Sequence, residues 1–192
     1  MELIKSKTFE NLARAFSGEC QAQTRYKFIE YGARMKNLNA LAQVIDKIIY
    51  NEFNHARVLY THIQKASKDT IENIDICGGT PFKQKWDLED NLLFAAEDEA
   101  AEVEIYRAFS KTAMEEGFED IARTFSMLAD VEKGHCKLFK ELHKDLKDGT
   151  MYKKTKAVRW RCDACGYEES SKEAFDTCPL CFAKQGQVNL QI

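Results

Sequence analysis

Glu52-Phe53-Asn54-His55 and Glu132-Lys133-Gly134-His135 are the two stretches that decide the fold of this chain. In an α-helix, side chains three residues apart lie on the same face, so each Glu-x-x-His pair directs a carboxylate and an imidazole to one side. Facing helices of a bundle that carry such pairs can enclose two metal ions. The repeated motif therefore predicts a helical bundle built around a two-metal site.

The length and composition of the chain fit one well-packed domain with a small addition. Its 192 residues are 44% hydrophobic and 31% charged, and the net charge is −3. A mixed, slightly acidic surface does not suit a nucleic-acid backbone, which requires concentrated positive charge. The N-terminal residues form no apolar signal core and no window is apolar enough to span a membrane. We therefore expect a cytoplasmic protein that binds neither nucleic acid nor membrane.

Four segments carry the 3.6-residue period of amphipathic helices. We expect helices over about residues 8–35, 41–65, 88–116 and 118–146, with Asp87 capping the third helix and Gly117 ending it. The second and third helices are separated by about twenty residues, and a connection of that length usually spans a bundle from end to end. The sequence thus predicts a long crossover between helices 2 and 3, which we expect to be parallel neighbours.

Seven potential metal ligands lie in the middle of the apolar stripes of these helices. They are Glu19, Glu52, His55, Glu99, Glu102, Glu132 and His135. An unpaired carboxylate is costly to bury, whereas two divalent cations would neutralise most of this cluster. Oxygen-rich ligation with one imidazole per metal favours iron or manganese over structural zinc, and we predict two iron ions. The alternative is that the acids lie on solvated helix edges and form surface ion pairs.

Three further side chains lie near these positions along the helices. Tyr26 and Tyr106 fall one to two turns from ligand positions, so their hydroxyl groups could line the metal pocket, although core packing would also explain them. Asp130 could orient a ligating imidazole or lie exposed on its helix.

The C-terminal part of the chain carries a second metal motif. Cys162, Cys165, Cys178 and Cys181 follow the pattern C-x2-C-x12-C-x2-C, which is typical of a tetrahedral site of four thiolates. A segment of about forty residues cannot build an adequate core, so the metal would supply much of its folding free energy. Iron and zinc both fit the spacing. A change in composition predicts two domains, the bundle over residues 1–152 and the cysteine domain over residues 153–192.

The whole chain resembles the rubrerythrin family, in which a ferritin-like di-iron four-helix bundle precedes a rubredoxin-like iron–thiolate domain. The resemblance rests on the order of these parts and on matching motifs. These are Glu19, the two Glu-x-x-His pairs, Glu115-Glu116-Gly117-Phe118, and Cys165-Gly166-Tyr167 with the adjacent Trp160. It implies a mainly α fold with a long crossover between helices 2 and 3, two iron ions in the bundle, and one iron ion in the four-cysteine site.

The resemblance also implies a function. It indicates a peroxidase for oxidative stress defence that reduces hydrogen peroxide to water in the cytoplasm, as a homodimer or larger assembly. Electrons would come from rubredoxin or an NAD(P)H-dependent reductase. Two alternatives stay open at this point. One is a ferroxidase or iron-handling protein, and the other is a zinc-ribbon binding module on a helical scaffold, which would leave the buried acids unexplained.

The same resemblance implies roles for the bundle ligands. Glu52 and Glu132 would bridge the two irons, with Glu19, Glu99, His55 and His135 as terminal ligands and Glu102 as an additional carboxylate that exchanges with His55.

The position of the ligands on the third helix has an alternative. The family reads Gly-Glu-x-x-Glu where this chain has Asp98-Glu99-Ala100-Ala101-Glu102. An ungapped alignment from Glu104 onward would place Asp98 and Ala101 at the ligand positions instead. We favour Glu99 and Glu102 because they share the helix stripe with Tyr106.

Overall fold

The computed structural model describes residues 2–83 and 85–192, and most of them belong to four long helices. The helices are α1 (Lys7–Met35), α2 (Asn39–Lys65), α3 (Leu88–Glu115) and α4 (Glu119–Lys147). Two antiparallel strands, β1 (Lys153–Arg161) and β2 (Glu168–Glu173), follow them. Short 3-10 helices lie at Leu3–Lys5 and Gln185–Gln187. The predicted mainly α fold is confirmed.

The helix ends follow local signals in the sequence. The side chain of Asp87 accepts a hydrogen bond from the backbone N–H of Asp90 at 2.9 Å, which confirms it as the cap of α3. Gly117 has a φ of 87°, a conformation that favours glycine, and α3 ends just before it as predicted. None of the helices in the described ranges is both long and apolar enough to cross a membrane.

The arrangement of the helices differs from the prediction in one respect. Helix α1 packs against α2 and α3, and α4 packs against α3 and α2. His62, near the end of α2, bonds to Thr124 near the start of α4, so these two helices are antiparallel and α2 is parallel to α3. Within the described residues, however, α2 and α3 do not pack against each other. The expectation that they are neighbours is wrong, because they lie diagonally across the bundle.

The apolar core of the bundle is divided into two layers. One layer contains Tyr26, Ile45, Leu92 and Phe139, and the other lies at the opposite end around Leu12, Leu59, Phe109 and Phe125. The predicted metal ligands occupy helix positions between these two layers. The sequence thus places acidic side chains at the centre of the bundle and apolar side chains above and below.

The C-terminal part forms a small unit around the buried Trp160, Ala174 and Val188. Its end returns to the bundle, since Leu190 is buried in the same apolar layer as Ile45. Gly186 lies against the α1–α2 turn, where a Cβ atom would come within 1.8 Å of the Asn37 carbonyl oxygen. The division at residues 152 and 153 stays a prediction.

Candidate metal centres

The centre of the bundle contains two overlapping groups of potential ligands. The first consists of Glu19, Glu52, His55 and Glu132, and the second of Glu52, Glu99, Glu132 and His135. Within each group the ligand atoms all lie within 4.8 Å of one another. Glu52 and Glu132 belong to both groups, and both are fully buried. The arrangement offers two adjacent cation sites that share two carboxylates.

The imidazoles present their Nδ1 atoms to the carboxylates. The Nδ1 of His55 lies 3.0 Å from Glu132, 3.1 Å from Glu52 and 3.5 Å from Glu19. The Nδ1 of His135 lies 2.8 Å from Glu132 and 2.9 Å from Glu52. A ring nitrogen carries at most one proton and cannot serve several carboxylate oxygens equally. A cation among these atoms would satisfy all of them.

Unpartnered oxygen atoms support the same conclusion. In the described part of the chain, buried carboxylate oxygens of Glu19, Glu52, Glu99 and Glu132 have no hydrogen-bond partner. A buried charged oxygen without a partner is strongly destabilising. The carboxylate-rich donor set with one imidazole per group therefore fits a pair of iron ions.

The pKa values of the metal-free chain show how tightly these groups interact. Burial lowers the pKa of His55, but hydrogen bonds to Glu132, Glu19 and Glu52 outweigh it and raise the pKa to about 12. Burial raises the pKa of Glu52, but hydrogen bonds from His135 and His55 bring it down to about 2. Burial and neighbouring carboxylates raise the pKa of Glu99 well above its usual range. Because the buried carboxylates repel one another, some of them keep their protons unless a cation is present.

Two buried tyrosines hold carboxylates of the site, as the sequence suggested. The hydroxyl of Tyr26 donates to Glu99 at 2.5 Å, and the hydroxyl of Tyr106 donates to Glu19. Both side chains also pack in the apolar layers, so the packing explanation holds as well. Each hydroxyl fixes the orientation of a carboxylate from the neighbouring antiparallel helix.

The structure distinguishes between the candidate metal ligands on α3. Glu99 belongs to the second group, whereas the buried Asp98 pairs with Lys83 at 2.9 Å and lies 3.9 Å from Arg25. Glu102 is outside both groups, although its Oε2 is buried without a partner among the described residues. Burial, together with Glu132 and Glu52, raises the pKa of Glu102 to about 8. The structure thus brings six of the seven predicted bundle residues together, with Glu102 at the edge.

Several contacts around the site were not predicted. Asn51 places its side-chain nitrogen 3.2 Å from the Nε2 of His135, but nothing in the spacing around Asn51 signals this contact. The pairing of Asp98 with Lys83 depends on the path of the crossover, which lacks a regular period. Of the two alternatives given for Asp130, the exposed one is confirmed, because its side chain is exposed and pairs with Arg107 rather than with an imidazole.

The four cysteines of the C-terminal unit converge with their thiols free. The Sγ atoms of Cys162 and Cys181 are 3.7 Å apart, and those of Cys165 and Cys178 are 3.6 Å apart. Thiolates bound about 2.3 Å from an ion at tetrahedral corners lie about 3.8 Å from one another. All four ligand atoms lie within 4.8 Å of one another, so the group fits a tetrahedral metal ion.

Two similar turns present these sulfur atoms. The backbone N–H of Gly166 donates to the carbonyl of Cys162 at 2.8 Å, and that of Phe182 donates to the carbonyl of Cys178 at 2.9 Å. Both Gly166 and Phe182 have positive φ, 79° and 63°. Burial raises the pKa of Cys178, but backbone N–H donors from Cys181 and Leu180 lower it to about 7, which favours the thiolate.

Comparison with known proteins assigns both centres. The family model described as Rubrerythrin matches residues 10–143 and also 90–161. The model described as Rubrerythrin, rubredoxin-like domain matches residues 160–187. The chain belongs to the rubrerythrin family.

Individual rubrerythrins match nearly the whole chain. The rubrerythrin of Clostridium perfringens is 36% identical over 183 residues, which cover 94% of this chain and 92% of that protein. The agreement extends through both the bundle and the cysteine unit. A di-iron site in the bundle and a rubredoxin-like four-cysteine site in the tail follow from this membership, as the sequence predicted.

Solved structures with a similar fold confirm the ferritin-like architecture. A mixed-valence structure of nigerythrin matches with a TM-score of 0.63 and 22% identity, covering 100% of this chain and 94% of that one. The bacterioferritin of Desulfovibrio desulfuricans matches with a TM-score of 0.61 and 22% identity, covering 74% of this chain and 81% of that one. The bacterioferritin match covers less of this rubrerythrin-family chain than the nigerythrin match.

Proposed function

We propose that this chain is a peroxidase that reduces hydrogen peroxide to water with electrons from NAD(P)H, delivered by a reductase or by rubredoxin. The observation that carries the proposal is the presence of two different metal centres in one chain. The bundle site offers carboxylates for bond-breaking chemistry, and the four-cysteine site offers a nearly fixed thiolate geometry suited to electron transfer.

We also propose specific roles for the ligands. Glu52 and Glu132 would bind both irons, a role supported by their membership in both ligand groups. Glu19 and His55 complete one site, and Glu99 and His135 complete the other. Glu102 is the additional carboxylate, supported by its free Oε2 next to the cluster. In the tail, Cys162, Cys165, Cys178 and Cys181 bind the third iron.

The protein's own contribution to peroxide reduction is to hold carboxylates and protons in place. When bound, the iron pair supplies the two electrons that cleavage of the O–O bond requires. The Tyr106 hydroxyl holds Glu19, and the Tyr26 hydroxyl holds Glu99, so that both carboxylates keep one orientation. The Oε2 of the Glu102 carboxyl is buried beside these carboxylates with no hydrogen-bond partner among the described residues, so it is free to bind a proton. It can deliver this proton to a departing oxygen atom.

Partners and location complete the proposal. We propose a cytoplasmic enzyme of oxidative stress defence that acts as a homodimer or larger assembly. The exposed Cys165 and Cys181 support access by an external electron donor to the tail site. Neither nucleic acid nor membrane has a part in this function.

Reoxidation kinetics test the proposed function. The iron-loaded protein is reduced without oxygen, mixed with one equivalent of hydrogen peroxide, and compared with a matched addition of oxygen. We expect the visible iron–thiolate band to return rapidly with peroxide and slowly with oxygen. A faster return with oxygen would favour a ferroxidase, and absence of the band would indicate zinc in the tail.

We propose that electrons from the reductase pass through the four-cysteine iron site to the bundle, and this relay is tested with Cys162→Ser. We expect the variant to keep iron in the bundle but to lose turnover with NAD(P)H and a reductase, because the tail can no longer pass electrons. Iron content and steady-state turnover are measured together. Unchanged turnover would contradict the relay.

The ligand assignment on α3 is tested with two adjacent variants. Glu99→Ala should lose iron from the bundle, since Glu99 lies in the second ligand group. Asp98→Ala should retain it, since Asp98 pairs with Lys83 instead. Bundle iron is measured by metal analysis in a background with intact tail cysteines. Iron loss in Asp98→Ala alone would support the other register.

A further inference from the structure

A cavity of about 450 Å³ lies between α1, α3 and the crossover that joins α2 to α3. Its lining combines apolar side chains, among them Ile76, Pro81, Ile105 and Phe109, with polar and charged ones from the same elements. Cavities that bind organic ligands are typically about 300–1,000 Å³ and combine apolar walls with a few polar groups. Hydrogen peroxide is little larger than water and needs no apolar wall of this extent.

The cavity reaches the edge of the di-iron site. Glu102 and Tyr106 both line it. The hydroxyl of Tyr106 donates to Glu19, a member of the first ligand group, and the Oε2 of Glu102 is buried without a partner among the described residues. A molecule in the cavity can therefore place a polar end beside these groups while its apolar part contacts the walls.

A glycine keeps this space open from the α1 side. Gly18 lies in the interior of α1 and lines the cavity. A Cβ at Gly18 would meet no described atom within 4 Å, so no packing constraint requires glycine there. Glycine destabilises the interior of a helix relative to alanine. Its effect at this position is to leave space along the α1 wall of the cavity.

A charged contact ties the crossover, which covers the cavity, to α3. Lys83, on the crossover, pairs with the buried Asp98 of α3 at 2.9 Å, and both line the cavity. Arg25, on α1, also lines it, and its side chain is only 11% exposed. Its Nε lies 3.9 Å from Asp98. The crossover is thus tied to α3 on one side of the cavity. The Nε of Arg25 stays without a hydrogen-bond partner among the described residues.

We propose that this cavity binds organic hydroperoxides and that the protein reduces them as well as hydrogen peroxide. The inference rests on the proposed peroxidase function and names a second substrate class for the same site. The alkyl or aryl group lies against Ile105 and Phe109, and the hydroperoxide end lies beside Glu102 and Tyr106. The O–O bond takes up two electrons supplied by NAD(P)H through the relay and two protons, giving one alcohol and one water.

The test compares two substitutions of Gly18 in the full-length, iron-loaded protein. Gly18→Leu fills the cavity, whereas Gly18→Ala removes the helix penalty of glycine with the addition of a single methyl group. Turnover is measured with hydrogen peroxide and with cumene hydroperoxide. Binding of 2-phenyl-2-propanol, the alcohol formed from cumene hydroperoxide, is measured separately by ligand-observed NMR, which does not depend on activity.

We expect the native protein and Gly18→Ala to reduce both peroxides and to bind the alcohol. Gly18→Leu should lose at least about tenfold in kcat/KM for cumene hydroperoxide and lose alcohol binding, with turnover of hydrogen peroxide retained. If Gly18→Leu does not fold, Ala101→Phe fills the same cavity from α3.

The possible failures are distinguishable. Turnover of hydrogen peroxide without turnover of cumene hydroperoxide or binding of the alcohol would overturn the inference and leave the proposed function intact. Turnover of cumene hydroperoxide that neither cavity-filling variant changes would overturn the assignment to this cavity. Absence of turnover with both peroxides in the native protein would overturn the peroxidase proposal itself.

Discussion

Tyr106, on α3, has both a packing role and a contact with a predicted metal ligand. Its ring packs in an apolar layer, and its hydroxyl donates to Glu19. We expect Tyr106→Phe to keep the fold and the bound iron but to slow peroxide turnover by about tenfold, since Glu19 loses the donor that fixes its orientation. Iron content and turnover with hydrogen peroxide are measured on the same sample. Tyr31→Phe is the control, because Tyr31 is 54% exposed and far from the ligands in sequence. Equal turnover in both variants would show that the hydroxyl of Tyr106 is dispensable.

The ionisable ligands predict a pH dependence for the metal-free protein. The pKa of Glu102 is raised from 4.5 to about 8 and that of His135 from 6.5 to about 9. Between the usual and the raised values, the folded chain binds more protons than the unfolded chain, so stability falls as pH rises. Glu52, with its pKa lowered from 4.5 to about 2, acts in the opposite direction but only below pH 4.5.

Thermal unfolding of the metal-free protein tests this sign. We expect Tm to fall from about pH 5 to about pH 9, and the fall to be smaller in the iron-loaded protein because metal binding requires deprotonated ligands. A Tm of the metal-free protein that rises over this range would contradict the protonation states derived for Glu102 and His135.

Residue types and spacing predicted most of the bundle site, but not its edge. Glu52, His55, Glu132 and His135 lie together because a fixed i, i+3 spacing on a helix leaves little freedom. Glu102 was placed with the ligands by its position on the helix stripe, but it lies outside both groups, and its role as a ligand stays a prediction. The ion pair between Asp98 and Lys83 could not be predicted either, because Lys83 lies in a segment without periodicity.

At the scale of elements, the crossover is tied to the bundle by a charged contact. Lys83 pairs with Asp98 at 2.9 Å and with Glu97 at 3.2 Å. We expect Lys83→Ala to loosen the crossover, because the buried Asp98 would lose its nearest cation. Hydrogen exchange of residues 66–83 should become faster, and so should limited proteolysis at the same segment. The fold of the helices should not change.

Lys68→Ala is the matched control for this variant. Lys68 lies in the same connection, is exposed, and has no ion pair within the described residues. Its substitution should leave hydrogen exchange of the crossover unchanged. Equal exchange in the two variants would show that the ion pairs of Lys83 do not hold the segment.

The helices were easier to predict than their arrangement. Caps such as Asp87 and stops such as Gly117 act within one turn of the chain, so local sequence determines them. The length of the crossover correctly indicated that α2 and α3 are parallel. It could not show whether they are adjacent or diagonal, because both arrangements need a connection that spans the bundle.

At the scale of the whole molecule, Gly186 is a point where the backbone of the tail lies close against the bundle. A Cβ there would lie 1.8 Å from the Asn37 carbonyl oxygen, which belongs to the backbone and cannot rotate away. We therefore expect Gly186→Ala to displace the tail and to lower Tm by at least about 2 °C, in line with a cost of about 1 kcal/mol or more. Differential scanning calorimetry of the iron-loaded protein measures the change.

Gly79→Ala is the control for this prediction. A Cβ at Gly79 would meet no described atom within 4 Å, so the substitution introduces no clash. Its Tm should match that of the native protein or exceed it slightly, because alanine restricts the unfolded chain. A Gly186→Ala variant as stable as Gly79→Ala would show that the tail can dock without this contact.

The burial of Leu190 among the side chains of the bundle has a thermodynamic consequence. The thiolate centre lies between two points of attachment, the end of α4 and this leucine, so release of its metal removes support from the helices as well as from the strands. A chelator that acts only on the cysteines should then lower the melting temperature of the four helices. Loss of the metal from the four-cysteine site would therefore change the cooperativity with which the entire chain unfolds.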